Sequence, residues 1–513
     1  MEFIDPLLGG IAQLSDPWLW LFVLIGTVIG VIVGALPGIG VVLTYGLLLP
    51  FTFMMDPVHA IAFLLAIAVG NGYGNSIPAI LMGIPGGPSA ILSVIEGHAL
   101  HKRGESALAL AISFVAALGG QAFSIILFIL MVVPLMQLAY QFLHPEQFAL
   151  YLMGIVAIAS LTGKNVLKGL IAAGIGFIIG LVGLDPINPV PRLTLGIQQL
   201  RTGIDLGPVV IGLLAMSELF RSSRQVFRWK AATDPAAGKF PSWRRLTPTI
   251  LPIVQGTVVG TFVGAIPGAG TAPAAMIAYQ ASMLTSRHPE EFGKGSIEGL
   301  AANEAAQNAS NSGELAPALA LGIPTTSTAV LLLSALTVHG FVPGPLMLRH
   351  TPDLFYAAVS GMLAATILLI FTGWYIAKAM LKAVNINRSA IIVFCFASIV
   401  LGTYATHTRI FDVYVVIACG AIGYLMLQFG YSTAAAALAC VLGTELERTL
   451  RYSLNITKGD FLALVSRPIT GTILMVTIAF IALGLARQYR RRRRRLEFAP
   501  AGQSVAHGVK VDL

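Results

Sequence analysis

The chain has 513 residues, of which 56% are hydrophobic and only 11% charged, with a mean hydropathy of +0.82 and a formal net charge of +9. A soluble domain carries about 25% charged residues, so these values exclude a water-soluble globular protein and define a polytopic membrane protein. The positive balance sits mainly in the stretch Arg221–Arg245 and in the run Arg490–Arg495. Directly after an apolar span such a run marks the cytoplasmic side rather than a nucleic-acid patch, and no nucleic-acid partner is expected.

In chain order, the first residues carry Glu2, Asp5 and Asp16 with no Lys or Arg. They lack the basic region of a cleaved signal peptide, so the span that follows stays in the chain. Apolar stretches near the length a bilayer core requires are predicted at about 18–35, from there to about 54, and at about 58–69, the last running into an interrupted stretch. Residues 106–140 are too long for one upright span and read as one long tilted or bent helix, or two. Further spans are predicted at about 146–161, 165–184 and 206–220, with the Pro-rich LDPINPVPRLTLGIQQL as a loop or interfacial hairpin between the last two. The second half offers spans at about 355–381, 388–405, 411–428, 432–446 and 468–486. Cys395, Cys419 and Cys440 lie in apolar stretches without metal-like spacing and read as small buried hydrophobes.

Two interrupted stretches organise the rest. The string P-A-x-x-x-G-I-P occurs at Pro78–Pro85 and again at Pro317–Pro324, each time flanked by small polar residues. Backbone groups without partners are tolerated at membrane depth only where protein or a water-filled cavity covers them. A matched pair of such breaks, one per half, points to the binding site of a secondary transporter. The heptapeptide Gly34-Ala-Leu-Pro-Gly-Ile-Gly40 returns as Gly264-Ala-Ile-Pro-Gly-Ala-Gly270. Pro37 and Pro267 lie 230 apart (267−37), Pro85 and Pro324 239 apart (324−85), and Glu218 and Glu445 227 apart (445−218). Landmarks in one order at nearly one spacing indicate an internal duplication. An acidic start outside and a basic linker inside require an odd number of crossings per half, and hence repeats of opposite orientation.

The expected fold is therefore all-α and polytopic: two inverted-topology repeats with proline-broken or re-entrant helices, plus one extra C-terminal transmembrane helix. The divisions are 1–222 for the first repeat, 223–245 for a basic cytoplasmic linker, 246–466 for the second repeat, 467–488 for the extra helix and 489–513 for a basic cytoplasmic tail. The structural breaks are Pro37, Pro78, Pro85, Pro267, Pro317 and Pro324.

The first break offers Asn71, Gly72, Tyr73, Asn75, Ser76, Gly86, Gly87, Ser89 and Ser93; the second offers Asn303, Glu304, Asn308, Ser310, Asn311, Ser312, Glu314, Thr325, Thr326, Ser327 and Thr328. Lys and Arg are absent from both, so an anion would be held by free N–H groups and the positive ends of half-helices starting after Pro85 and Pro324. Hydroxyls at Ser89, Thr325, Thr326, Ser327 and Thr328 would add donors. The substrate-binding set is expected to be Asn71, Asn75, Ser76, Gly86, Gly87, Ser89, Asn308, Asn311, Ser312 and Thr325 to Thr328. Gly72, Asn75, Asn303, Glu304 and Asn308 are ion-coupling candidates, because amide and carbonyl oxygens suit a hard cation such as Na+. Glu304 stands out as an ionisable residue at apparent membrane depth. No G-x-x-x-x-G-K-[ST] occurs, so ATP is not the direct energy source. No catalytic triad, His-Glu-x-x-His or paired catalytic carboxylate occurs either, and no enzyme activity or cofactor is expected beyond Na+ as a coupling ion.

These motifs resemble the TctA family, the large membrane subunit of tripartite tricarboxylate transporters. The parallels are GALPGIG at 34–40, GNGYGNSIPAILMGIPGGPSA at 70–90, GLDPINPVPRLTLG at 183–196, GAIPGAG at 264–270, the stretch from Glu304 and Asn308 through ALALGIP, and RYSLNITKGDFLALVSRPI at 451–469. The resemblance implies a secondary transporter of small carboxylates in a bacterial inner membrane, with a small membrane subunit and a periplasmic substrate-binding protein as partners, driven by a Na+ or proton gradient. Thr325-Thr326-Ser327 follows Pro324 where a Gly is common in the family, which bears on substrate size and identity. Two rivals stay open on sequence alone: an intramembrane enzyme acting on a lipid or isoprenoid, for which only Glu304 is a deep candidate, and a passive anion channel.

Overall fold

A computed structural model describes residues 5–36, 40–161, 165–185, 190–223, 240–341, 343–344, 347, 351–382 and 388–497. Pro37, most of the basic linker and the tail beyond 497 lie outside the described residues. Eight described helices are long and apolar enough to cross a membrane, among them Pro17–Gly34, Pro57–Met82, Ser106–Ala139 and Pro352–Ala379. The chain is thus an all-α polytopic membrane protein. The long apolar run forms one helix, Ser106–Ala139, with Pro134 inside it; its Phe123, Ile126 and Leu130 are exposed at helical spacing, as a lipid-facing side requires.

Local signals set where helices begin. Asp16 precedes Pro17 and accepts from Trp18 N at 2.9 Å; Asp56 precedes Pro57 and accepts from Val58 N at 3.0 Å. An aspartate cap satisfies an orphan N–H, and proline at the first helical position forfeits nothing. His59 joins the two starts through Asp16 at 2.7 Å. The Pro-rich loop forms a short hairpin, Gly183–Leu184 against Pro191–Arg192. There Arg192 meets Glu447 at 2.7 Å, and Arg451 meets Asp185 at 2.9 Å. Two motifs some 260 residues apart, 185 and 192 on one side and 447 and 451 on the other, are thereby locked in one ion-pair network.

The two halves share a packing device. Gly26, Gly30 and Gly34 recur 230 positions on as Gly256, Gly260 and Gly264 (256−26, 260−30, 264−34). A Cβ on Gly30 would lie 2.4 Å from Ile67 O, and one on Gly260 2.4 Å from Ala306 O. Small residues at every fourth position let backbones approach face to face. Pro17–Gly34 therefore lies tight on Pro57–Gly74, and Ile250–Gly264 tight on Ile297–Leu321. These helices carry the two breaks, which fixes where the breaks sit.

The breaks end alike. The helix Ser76–Met82 closes on Gly83 at φ +67°, ψ 22°, and Ile297–Leu321 closes on Gly322 at φ +69°, ψ 19°. Both are left-handed, a region that glycine enters without steric cost. Upstream, the ring of Pro78 opposes the carbonyl of Gly74, where the helix Pro57–Gly74 stops. After the breaks the chain resumes as Pro88–Ala90 and Ile91–Lys102 in one half and Ser327–Val338 in the other.

Candidate functional site

The interrupted stretches meet around a cavity of about 180 Å3, well above the ~10–15 Å3 that one water needs. The first half contributes Asn71, Gly72, Asn75, Gly86, Gly87 and Ser89; the second contributes Gln307, Asn311, Glu314, Thr326 and Thr328. Gly40, Val41, Val42, Ala68 and Thr271 complete the lining, and no Lys or Arg is among these residues. Gly86 N donates to Asn75 O at 3.1 Å, and Gly268 N to Thr325 O at 3.0 Å. The glycine-rich heptapeptide of the second half is thus stitched to its break; in the first half Gly34 O lies 2.7 Å from where a Gly86 Cβ would sit.

Behind this cavity lies a sealed polar wall built across the halves. Glu304 is fully buried. It accepts from Ser76 Oγ at 2.8 Å, from Ser93 Oγ, and from Gln307 Nε2 at 3.2 Å. Asn303 Nδ2 donates to Ser93 at 2.7 Å, and Gln307 Nε2 donates to Ser76 at 3.0 Å. The three groups bonded to the carboxylate all donate to it, and Ser76 and Ser93 are in turn fed by Gln307 and Asn303. Asn308 Nδ2 donates to Glu304 O at 2.9 Å, and its Oδ1 occupies the place of a Gly72 side chain, 2.3 Å from an added Cβ. Gly72 is glycine because that amide needs the space.

The structure therefore divides the sequence-predicted residues. Asn71, Gly72, Asn75, Gly86, Gly87, Ser89, Asn311, Thr326 and Thr328 line the cavity, while Ser76, Asn303, Glu304 and Asn308 form the wall. Ser312 lies elsewhere, bonded to Gln121 at 2.9 Å and Ser124 at 2.8 Å on Ser106–Ala139. Thr325 is buried beside Gly268, and Ser327 opens the following helix; neither is among the lining residues. Pro85 is exposed and Pro324 buried. Gln307, Thr271 and Glu314 were not assigned to the site from sequence. Aligning Pro78 with Pro317 (317−78 = 239) places Glu314 on Asn75 (314−75 = 239), and that register was the available signal.

A second carboxylate ties the halves together away from the cavity. Glu96, fully buried on Ile91–Lys102, accepts from Tyr279 Oη at 2.5 Å and from the backbone N–H groups of Gly293 at 2.5 Å, Gly295 at 2.7 Å and Ser296 at 2.7 Å. The helix Ile91–Lys102 after the first break is in this way fastened to the start of the helix that carries the second.

Fold and site define a class: a polytopic helical membrane protein that encloses a polar cavity between two interrupted helices. Residues 20–438 match the family model described as "Tripartite tricarboxylate transporter TctA family". The chain belongs to the TctA family, a family of membrane subunits of tricarboxylate transporters. It is 32% identical over 500 residues to "Uncharacterized 52.8 kDa protein in TAR-I ttuC' 3'region" of Agrobacterium vitis, covering 96% of this chain and 98% of that protein. It is also 32% identical over 236 residues to "Uncharacterized protein in TAR-II ttuC' 3'region" of the same organism, covering 46% of this chain and 97% of that protein. No solved structure matches.

Proposed function

We propose that this chain is the large permease subunit of a binding-protein-dependent secondary transporter whose uptake of small di- or tricarboxylates is driven by a Na+ or proton gradient. One observation carries the reading: the two breaks line a single cavity whose described walls offer amides, hydroxyls, main chain and the Glu314 carboxylate but no Lys or Arg. First-turn N–H groups lack intrahelical partners and carry the positive end of the helix dipole, and the helix Ser327–Val338 starts beside Thr326 at this cavity. Asn71, Asn75, Gly86, Gly87, Ser89, Asn311, Thr326 and Thr328 would hold the carboxylate. Gly72, Asn75, Asn303, Glu304 and Asn308 would sense the coupling ion; the buried Oδ1 atoms of Asn303 and Asn308 have no partner among the described residues and are oxygens of the kind that Na+ takes.

In this reading the protein lies in a bacterial inner membrane with its N-terminus periplasmic and its C-terminus cytoplasmic, and its halves have opposite orientation. A small membrane subunit and a periplasmic substrate-binding protein complete the transporter. Alternating access moves one set of half-helices relative to the other.

Counterflow in proteoliposomes tests the proposal with labelled citrate and succinate. Unlabelled substrate inside should accelerate entry of label, and Asn75→Ala or Asn308→Ala should cut that exchange at least about tenfold, the loss of roughly one buried polar contact, while the protein still inserts. Entry without acceleration from the far side would favour a channel, and undiminished exchange in both variants would remove the site assignment.

A further inference from the structure

Among the described residues, Glu314 is the one acidic side chain that lines the cavity. It is 5% exposed, and Thr326 Oγ1 donates to its Oε2 at 2.6 Å. The same hydroxyl accepts from Ala329 N at 3.1 Å, as the N-cap of Ser327–Val338. Glu314 precedes the second break and Thr326 follows it, so their bond is a strap across the gap. In the first half the equivalent position is Asn75, a neutral amide facing the same space (314−75 = 239, as for 317−78).

A carboxylate cargo in this cavity would face an ionised Glu314 with no Lys or Arg in the lining to offset the two charges. Like charges sharing one desolvated site cannot both stay ionised. A bound cation or a proton on Glu314 would each relieve the repulsion, and the proton needs no ligand beyond the carboxylate itself, whose Oε2 already holds Thr326. The other titratable group beside Glu314 is Tyr45, whose hydroxyl donates to Leu64 O at 2.6 Å. Glu304 lies ten residues earlier on the same helix, inside the sealed wall.

We infer that Glu314 takes up a proton when the carboxylate cargo binds and travels with it, so that each cargo molecule enters with a proton on this side chain. The inference rests on the transport reading above. An O–H bond forms on the Glu314 carboxylate with a proton from the entry-side water and breaks when that proton is given to water on the exit side. Protonation removes the repulsion and turns an acceptor into a donor that can bond the cargo carboxylate. It also alters the bond to Thr326, so that cargo binding is felt at the cap of the helix beyond the break. Glutamine, like the protonated acid, is neutral and can donate.

The test uses proteoliposomes of the full chain with a pH-sensitive dye in the lumen and citrate or succinate as cargo. Wild-type protein should acidify the lumen on cargo addition, and its exchange should fall about tenfold per pH unit once the carboxyl loses its proton. Glu314→Gln should exchange cargo with a flat pH profile and move no protons. Tyr45→Phe should keep the wild-type response. The inference is overturned if wild-type protein transports without moving protons, if Glu314→Gln still acidifies the lumen, if the response vanishes in Glu304→Gln but not in Glu314→Gln, or if folded Glu314→Gln exchanges nothing. If wild-type protein reconstituted together with the small membrane subunit and the substrate-binding protein proposed above shows no exchange at all, the transport reading itself fails.

Discussion

Gly87→Leu should abolish uptake, by about 100-fold or more, and leave the fold intact. Gly87 faces the cavity with extended backbone, φ −148° and ψ 171°, which any residue adopts. A Cβ there would meet only Asn75 Nδ2, at 3.8 Å. The added side chain enters the space of about 180 Å3 proposed for the cargo, and a steric penalty near 3 kcal/mol corresponds to about two orders of magnitude in binding. Its neighbour behaves differently. A Cβ on Gly86 would lie 2.7 Å from Asn75 Cα, Asn75 O and Gly34 O, so Gly86→Leu should damage the fold as well. Uptake measured alongside thermal stability of the purified variants separates the two: Gly87→Leu loses only the first, Gly86→Leu both.

Gly260→Leu should cost the fold most of its stability. The nearest atoms to an added Cβ are Ala306 O at 2.4 Å, Cα at 2.7 Å and C at 2.9 Å, all backbone of Ile297–Leu321. None can rotate away, so Ile250–Gly264 must lift off the helix that carries Glu304 and Glu314. Overpacking costs about 1–3 kcal/mol for small insertions, and leucine adds three further carbons. Against a total stability of about 5–15 kcal/mol, little folded protein should survive solubilisation. Gly174→Leu is the control, because a Cβ there meets nothing within 4 Å. Size-exclusion profiles and melting curves of the two variants should diverge; coincident curves would mean that the close helix contact is not what holds the second break in place.

The prolines and the G-I-P strings made both breaks legible, because proline and left-handed glycine leave few backbone alternatives. Neither the glycine stripe at Gly26, Gly30 and Gly34 nor its copy at Gly256, Gly260 and Gly264 was read as a helix contact, since small residues in apolar runs do not announce a partner. Ser312 shows the limit of reading a stretch rather than a face. One residue on from Asn311, it is turned about 100° round the helix and faces Ser106–Ala139 instead of the cavity. Hydropathy ended a span near residue 446, yet the helix Thr433–Ile456 continues, its charges paired as Arg448 with Glu445 and Arg451 with Glu447. The π-helical turn Ile211–Met216 left no mark in composition. Glu314 stands among the polar residues of the second break in sequence, but its meaning depends on Thr326 arriving from the other side of the break.

The most direct measurement is cargo protection of a single thiol. In Gly87→Cys the new side chain faces the cavity, whereas Cys395, Cys419 and Cys440 are buried. A small charged thiol reagent should label Gly87→Cys, and citrate or succinate at ten times its Kd should slow labelling about tenfold. An unchanged labelling rate under conditions where the protein exchanges the same carboxylate would place the cargo somewhere other than between the two breaks.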